Sequence, residues 1–345
     1  MLSDALIERI LERLPYCTVG VLGDLFLDRY LDIDPALNEL SLETGLTAYQ
    51  VVRVRSYPGA AGTVINNLAA LGVGRIVPIS FIGDDGEGYE LRQALGNLAN
   101  VDCSGIVVTS QRRTPTYTKP LLAGQELNRL DIKNRSVTSV ALQEQLVGRL
   151  QHYWPTLDAL VVLDQVSEPD CGVVTDLLRS VVAELAGATP QKFVLADSRE
   201  RIGLFRNVSL KPNERECRQA CQVAADVPLE SCILKLAHQC GRAVFCTRSE
   251  QGVILAEPAD AQIQLHAIPA FAVTGPIDPV GAGDSCSAGI VCAMLAGATY
   301  AQAAAFGNLV ASITIQQLGV TGTASPSQVR QRWQTVRSAL PTALE

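Results

Sequence analysis

The sequence lacks any long hydrophobic run. No uninterrupted apolar segment approaches the roughly 18 residues that a helix needs to span a bilayer. The N-terminal segment carries acidic side chains at Asp4, Glu8 and Glu12, unlike the basic and apolar start of a secretory signal peptide. We therefore expect a protein that stays in the cytoplasm and has no membrane partner.

Positive charge is in deficit. The chain of 345 residues carries 28 lysines and arginines against 35 aspartates and glutamates, a formal net charge of −7. This balance gives no overall electrostatic attraction to nucleic acid or to anionic membranes. Glycine and proline number only 27 and 17, which excludes a low-complexity or collagen-like chain. We expect a globular protein whose partner is a small molecule.

Histidine is rare, and the cysteines are not spaced like a metal site. His152, His238 and His266 lie in unrelated segments, so no set of four zinc ligands assembles at the usual spacing. Most of the ten cysteines stand among apolar or helical neighbours. We expect buried, reduced thiols, with disulfides as the alternative.

Short apolar runs rich in β-branched residues recur along the chain, and helical spacing recurs between them. The predicted strands are 18–22, 75–81, 157–163, 193–196 and 243–247. The predicted helices are 60–71, 88–98, 141–152, 172–186, 282–295 and, at the end of the chain, 331–345. This alternation predicts an α/β fold with a doubly wound, mostly parallel sheet and helices on both faces.

Two stretches interrupt this rhythm, at residues 25–57 and 114–133. Both alternate polar and apolar residues instead of showing helical spacing. We expect inserted antiparallel strands that form a small β-sheet lid, with long surface loops as the alternative. Because the sequence shows no internal repeat and no Ser/Gly-rich linker, we predict one domain, 1–345, that includes this lid.

The most informative segment is a glycine turn at 278–289, which reads Asp-Pro-Val-Gly-Ala-Gly-Asp-Ser-Cys-Ser-Ala-Gly and leads into an apolar helix. Gly281, Ala282 and Gly283 can present successive backbone N–H groups at a helix N-terminus, which attracts phosphate or a developing oxyanion. Asp284 follows in the first helical turn. A carboxylate there is suited to accept a proton from a hydroxyl that attacks the phosphate. The alternative is a helix-capping carboxylate.

Residues 278–291 resemble, position by position, the C-terminal signature of the PfkB (ribokinase-like) family of carbohydrate kinases. Other segments match that family's motifs in order along the chain. They are Gly23-Asp24, the glycine-rich stretch 59–62 with Asn67, the segment 82–86, the Asn-x-x-Glu motif within 211–216, and the strand and turn at 247–252. The chain is identified as a member of this family. Membership implies a ribokinase-like fold with a β-sheet lid, and transfer of the γ-phosphoryl group of ATP to a sugar hydroxyl.

Segments 23–30, 128–131 and 247–252 are most similar to the branch that phosphorylates D-glycero-β-D-manno-heptose 7-phosphate, which implies a sugar phosphate as acceptor. Three features depart from that branch. Ala60 replaces the second glycine of a pair, Thr63 replaces an asparagine, and Leu163-Asp164-Gln165 replaces Ser-Asp-Tyr. Because these changes alter the sugar pocket, a kinase for another sugar or a nucleoside is the alternative. A non-catalytic binding or regulatory protein is the alternative from another class.

The resemblance also assigns roles on the nucleotide side. Asp284 becomes the proton acceptor, and the turn 281–283 becomes the anion hole. Asn213 and Glu216 lie on one helix face and would hold Mg²⁺ through water, with an N-terminal capping pair as the alternative. The residues expected to border ATP are Asn213, Thr247, Arg248, Gly252 and Asn308, the last with helix packing as its alternative.

On the sugar side, the implied residues are Asp24, Asp28, Gly59, Asn67 and Arg129. The carboxylates of Asp24 and Asp28 can accept hydrogen bonds from sugar hydroxyls, although Asp28 could instead pair with Arg29 in the lid. Arg129 could bind a sugar phosphate bidentately or be an ordinary surface arginine. A lid with apolar faces, together with the resemblance, also suggests a homodimer that forms through the lid.

Overall fold

The computed structural model describes residues 2–224, 226–259 and 262–338. Over these residues the chain forms ten α-helices and sixteen strands. The strands are β1 (Thr18–Gly23), β2 (Leu25–Ile33), β3 (Glu39–Leu40), β4 (Thr47–Ala48), β5 (Val51–Ala60), β6 (Arg75–Gly83), β7 (Ile106–Thr109), β8 (Thr116–Leu122), β9 (Gln125–Glu126), β10 (Leu130–Ile132), β11 (Ala159–Asp164), β12 (Phe193–Ser198), β13 (Ser209–Leu210), β14 (Val244–Thr247), β15 (Val253–Ala259) and β16 (Gln262–Ile268). The helices are α1 (Asp4–Arg13), α2 (Ala61–Leu71), α3 (Gly86–Gly96), α4 (Val140–Tyr153), α5 (Asp176–Ala188), α6 (Glu214–Cys221), α7 (Leu229–Cys240), α8 (Ala282–Leu295), α9 (Tyr300–Thr314) and α10 (Pro326–Arg337).

Nine strands form the main sheet, in the order β16-β15-β14-β13-β12-β11-β1-β6-β7. The pairs from β7 to β14 are parallel, and β15 and β16 add an antiparallel edge. Every residue of β11 is buried, as expected for a parallel strand covered on both faces. Along it, Val161 and Leu163 enter one apolar core and Leu160 and Val162 the other. The predicted α/β fold with a mostly parallel sheet is confirmed.

A second sheet has the order β10-β8-β2-β5, with β9 beside β8. Its strands come from the two stretches, 25–57 and 114–133, that interrupt the α/β rhythm. The sheet is mixed, because β2 pairs antiparallel with β5 but parallel with β8. The expectation of antiparallel strands is therefore correct for only part of this sheet, which we call the lid sheet. It joins the main body at Ala60, where the backbone has φ +53.

Two predicted helices begin four or more residues away from their predicted start. Helix α5 begins at Asp176, not 172, because Val173 N–H donates to Asp24 Oδ1 (2.7 Å) and Thr175 is the N-cap. Helix α10 begins at Pro326, where Ser325 and Gln328 form a reciprocal capping box, and ends at Arg337. Residues 339–345 of the predicted terminal helix lie outside the described residues.

The parallel strands β1, β11, β12 and β13 end at the same edge of the main sheet, as their registers require. Helix α8 contacts β11 and β12. The sheet thus places Asp24, Asp164, Asp197 and Lys211 along one edge. Nine of the ten cysteines are buried, as expected. No helix within the described ranges is long and apolar enough to cross a membrane.

Candidate active site

A cavity of about 470 Å³ lies between the lid sheet and the start of α8. Asp24 and Asp28 line it from the β1–β2 region, and Arg129 lines it from the segment before β10. Gly281 and Asp284 line it from the glycine turn. The fold therefore brings residues that are 260 positions apart in sequence, such as Asp24 and Asp284, into one site.

The glycine turn gives α8 an open N-terminus. Gly281 has φ +79, a conformation that favours glycine, and no side chain within the described residues caps the helix. Ala282 N–H donates to Pro279 O (3.1 Å) and Ser285 N–H donates to Gly281 O (2.9 Å). The N–H groups of Gly283 and Asp284 have no acceptor in the described part of the chain, so these two form the donor pair that could bind an anion.

Asp284 is half-buried at this helix start. Burial and the nearby Asp197 carboxylate raise the pKa of Asp284 from 3.8 to about 7, while Lys211 and Arg199 act in the opposite direction. A carboxyl with a pKa near neutrality can both take up and release a proton. This fits the predicted proton acceptor better than a capping role, because Asp284 is not the N-cap residue.

Asn213 and Glu216 form a capping box at the start of α6. Glu216 N–H donates to Asn213 Oδ1 (2.9 Å), and Asn213 N–H donates to Glu216 Oε2 (2.8 Å). Burial and Asp197 raise the pKa of Glu216. The alternative of a capping pair is thus present, and it leaves Glu216 Oε1 as the carboxylate oxygen outside the cap.

The residues predicted to border the nucleotide do not line the cavity. Thr247 pairs with Asn213 across the ends of β14 and the segment before α6, and Thr247 N–H donates to Pro212 O (2.9 Å). Arg248 N–H donates to Gly252 O (2.7 Å), which closes a turn after β14. The structure therefore places Asn213 and the turn 247–252 side by side, as a single nucleotide-side surface requires.

Gly252 and Asn308 meet the same stretch of backbone. Gly252 has φ +84, and a side chain there would collide with the carbonyl oxygen of Ile268. Asn308 Nδ2 donates to Pro269 O at 3.0 Å and more weakly to Ile268 O at 3.3 Å. Asn308 thus holds the 268–269 segment in place, and its contact with ATP stays a prediction.

Asp24 organises the wall of the cavity. Its Oδ2 accepts from the backbone N–H of Gln165 (2.9 Å) and Val166 (3.3 Å), and its Oδ1 accepts from Val173 (2.7 Å). Burial and the charge of Asp164 raise the pKa of Asp24 to about 6. Asp24 lines the cavity as predicted, but three backbone donors already engage its carboxylate.

Asp28 pairs with Lys119, not with Arg29. Its Oδ1 lies 3.2 Å from Lys119 Nζ, and Lys119 Nζ also donates to Tyr30 Oη (3.1 Å). Arg29 instead reaches α3, where its Nη2 lies 2.6 Å from Glu90 Oε1. The alternative of an Asp28–Arg29 salt bridge is wrong because adjacent strand residues point to opposite faces of the lid sheet.

Gly59 and Asn67 do not line the cavity. Gly59 lies directly under the Asp28 carboxylate, which leaves no space for a side chain. Asn67 is fully buried in α2, and its Nδ2 donates to Thr63 O (3.0 Å). The structure thus brings three of the five predicted sugar-side residues to the cavity. Gly59 and Asn67 instead lie behind the residues that line it.

Arg129 forms a bidentate pair with Asp131, at 2.7 and 2.9 Å. Its guanidinium lies 4.2 Å from the ring centre of Tyr117, and Lys133 Nζ lies 5.6 Å from the same ring. Arg129, Lys133, Tyr117 and Lys119 all line the cavity. The lid therefore contributes three cations to the site.

Of the three lid cations, the sequence predicts only Arg129 as a site residue. Lys119 and Lys133 are not predicted, and neither is Arg199, which also lines the cavity. Arg199 directly follows β12, so its position after a parallel strand was a usable signal. Lys119 and Lys133 carry no such signal, because their place in the cavity depends on how the lid strands pair.

A carboxyl with a pKa near neutrality beside an open helix N-terminus, at the carboxyl edge of a doubly wound sheet, is typical of α/β enzymes that transfer phosphoryl groups. Residues 27–328 match the pfkB family of carbohydrate kinases, and the chain belongs to that family. The members of this family are carbohydrate kinases, phosphotransferases with an alcohol group as acceptor.

Curated relatives include proteins named bifunctional protein HldE. The protein of Paramagnetospirillum magneticum is 29% identical over 91% of this chain and 63% of its own length. The protein of Caulobacter sp. is 32% identical over 88% of this chain and 60% of its own length. The chain thus spans less than two thirds of the length of these relatives.

Solved structures share the fold at low sequence identity. The ribokinase of Arabidopsis thaliana, complexed with ribose and ATP, has a TM-score of 0.65 at 17% identity, covering 92% of this chain and 98% of that one. Phosphofructokinase-2 of Escherichia coli, in complex with potassium, has a TM-score of 0.68 at 16% identity, covering 93% and 99%. The predicted ribokinase-like fold is confirmed.

Proposed function

We propose that the protein transfers the γ-phosphoryl group of Mg·ATP to a hydroxyl of a phosphorylated sugar, and that this sugar is a heptose 7-phosphate. The observation that carries the proposal is Asp284, which lies next to the open N–H groups of α8 and faces a cavity lined by lid cations. The resemblance of segments 23–30, 128–131 and 247–252 to heptose 7-phosphate kinases supports the choice of sugar.

In this mechanism Asp284 accepts the proton of the attacking hydroxyl. The acceptor oxygen forms a bond to the γ-phosphorus as the bond from that phosphorus to the β-phosphate oxygen breaks. The N–H groups of Gly283 and Asp284 donate to the phosphoryl oxygens, where negative charge is concentrated. Lid closure over the cavity would exclude water, an alternative acceptor.

The nucleotide side fits ATP with a water-coordinated Mg²⁺. Glu216 retains one carboxylate oxygen outside its capping box, and Asn213 lies beside the turn 247–252. Among the residues that the structure describes, no three metal-binding side chains cluster, so water and phosphate would supply most ligands. When bound, Mg²⁺ would neutralise charge on the phosphates.

The lid cations support a phosphorylated acceptor. Lys119, Arg129 and Lys133 line one cavity, and the Arg129 guanidinium suits bidentate binding of a phosphate. A second candidate is an unphosphorylated sugar or a nucleoside. It is favoured by the existing partners of two of these cations, because Lys119 already pairs with Asp28 and Arg129 with Asp131.

The test is ADP release with Mg·ATP across free sugars, nucleosides and sugar phosphates, including heptose 7-phosphate. We expect turnover on heptose 7-phosphate to exceed that on any unphosphorylated compound by at least about 100-fold, because only a phosphorylated acceptor can form the charge-assisted bidentate contact with Arg129. Preference for an unphosphorylated substrate would support the proposed kinase activity and contradict the assignment of a sugar phosphate as acceptor. Nucleotide binding without turnover would favour a binding protein.

We also propose a homodimer through the lid. Val52, Val54 and Leu42 are exposed on the lid sheet and its β3–β4 connection, at 57%, 56% and 103%. Exposed apolar side chains along an edge strand such as β5 favour association. Sedimentation velocity should give a dimer that Val52→Lys/Val54→Lys converts to a monomer, and a wild-type monomer would contradict this.

A further inference from the structure

A buried ion pair that the mechanism above does not use lies beneath the start of α8. Lys211 Nζ is 2.8 Å from Asp197 Oδ2, and the two side chains are only 4% and 8% exposed. Lys211 follows β13, and Asp197 belongs to the neighbouring parallel strand β12. Both charges are therefore fixed by the main sheet.

The ammonium lies against the open helix N-terminus. A side-chain carbon placed on Gly283 would be 3.5 Å from Lys211 Nζ. Gly283 carries one of the two N–H groups that have no acceptor among the described residues. Asp197 is the ion-pair partner of Lys211 in the described part of the chain, so it accounts for one of three ammonium N–H bonds.

This placement brings like charges together. The N-terminus of α8 carries partial positive charge, and the ammonium adds a full one beside it. Burial alone would lower the pKa of Lys211, but the Asp197 carboxylate raises it above its ordinary value, so the side chain stays charged. Ser287 of α8 also donates to Asp197, at 3.4 Å. The Asp197 carboxylate offsets the charge of Lys211, and an anion at Gly283 would interact favourably with both the ammonium and the helix N-terminus.

We propose that Lys211 is a further catalytic residue, whose ammonium donates to the oxygens of the phosphoryl group during transfer, and that Asp197 positions it. The proposal rests on the phosphoryl transfer proposed above. No bond to Lys211 forms or breaks. The phosphoryl group passes from the β-phosphate oxygen to the acceptor oxygen, and the acceptor proton passes to Asp284.

A purely structural ion pair predicts a different response to mutation. Lys211→Met leaves Asp197 buried and unpaired, which should lower the melting temperature. The double variant Lys211→Met/Asp197→Asn removes both charges with little change in shape, so it should recover most of that loss. If the pair were only structural, the double variant would also recover turnover.

The first measurement is the affinity for ADP with and without aluminium fluoride, which imitates the phosphoryl group in transfer, by titration calorimetry. We expect ADP alone to bind wild type and the double variant within about threefold. We expect aluminium fluoride to strengthen ADP binding to wild type, and that gain to fall at least about 30-fold in the double variant, because one anion-binding donor is lost. A double variant that keeps the gain, or a wild type that shows none, would overturn the proposal.

The second measurement is kcat with the best acceptor from the substrate panel. We expect a loss of about 100- to 1,000-fold in the double variant, comparable to removal of one donor from an oxyanion hole. A double variant within fivefold of wild type would contradict a catalytic role. The calorimetric result needs no acceptor, so it separates failure of this proposal from failure of the acceptor assignment.

Discussion

The two ends of the candidate site hold their charges in different ways. At the α8 end, Asp197 and Lys211 are more than nine-tenths buried and are fixed by adjacent core strands. At the lid end, Lys119 pairs with Asp28 and Arg129 pairs with Asp131, all within the lid sheet or its connections. The side chains of that second pair are 43% and 26% exposed.

This difference fits the proposed division between phosphoryl transfer at the α8 end and recognition of the acceptor at the lid. Fixed, buried charges cannot reorganise, which suits stabilisation of a charge that develops in a transition state. A partly exposed pair such as Arg129–Asp131 is held weakly, at about 0–1 kcal/mol, so a ligand can displace one partner. The same transfer end could therefore serve different acceptors if the lid pairs change.

The largest effect should come from the transfer end. Asp284→Asn should lower kcat by about 100- to 10,000-fold, because the amide cannot take up the proton of the attacking hydroxyl. ADP release measured with saturating Mg·ATP tests this, with circular dichroism to verify folding. A fall of less than tenfold would rule out Asp284 as the proton acceptor.

The pH profile gives the matching control. Asp284 has a pKa raised to about 7, so its ionised form accumulates as pH rises through that value. In wild type, kcat/KM should rise with pH up to about 7 and then level off, and this rise should vanish in Asp284→Asn. Because this pKa is higher in the folded protein than in the unfolded chain, the contribution of Asp284 to the free energy of unfolding decreases as pH rises from about 4 to 7.

A smaller effect should come from the lid. Arg129→Met should raise KM for a phosphorylated acceptor by about 10- to 100-fold and change kcat less, because a bidentate charge-assisted contact is lost. Asp131→Asn is the matched control, since it frees Arg129 and should lower the same KM about two- to fivefold. Equal KM values in all three proteins would assign Arg129 to the lid structure alone.

Sequence patterns were sufficient for the continuous elements of the core. The runs that correspond to β1, β6, β11, β12 and β14 are mostly apolar, so they predict both the strands and their burial in a parallel sheet. Strand β13 has only two residues, Ser209 and Leu210, which is too short for any periodicity. The start of α10 could have been predicted, because Ser325 and Gln328 have capping-box spacing.

The site was predictable where one local segment builds it, and not where distant segments meet. The spacing of Gly281 and Gly283 is enough to predict the turn at 281–284 and the start of the helix that follows it. The Asp28–Lys119 pair joins residues 91 positions apart, and it depends on the parallel pairing of β2 with β8. To predict the position of Lys211, one would need to know that it follows a strand and that Asp197 lies near the end of the neighbouring strand. The sequence pattern does not predict β13, so it does not place Lys211.

The smallest effect should come from the joint between the two ends. Ala60 ends β5, precedes α2 and lines the cavity, with φ +53 and ψ −118, where a side chain is strained. Ala60→Gly should relieve that strain and raise the free energy of unfolding by about 1 kcal/mol, after the entropic disadvantage of glycine. The matched control is Ala61→Gly. Because Ala61 is helical and buried, this substitution should lower the free energy of unfolding by about 1 kcal/mol. Chemical denaturation of the three proteins measures both changes. If Ala60→Gly were as destabilising as Ala61→Gly, the methyl group of Ala60 would be needed for packing between lid and body, and the two ends would be coupled through it.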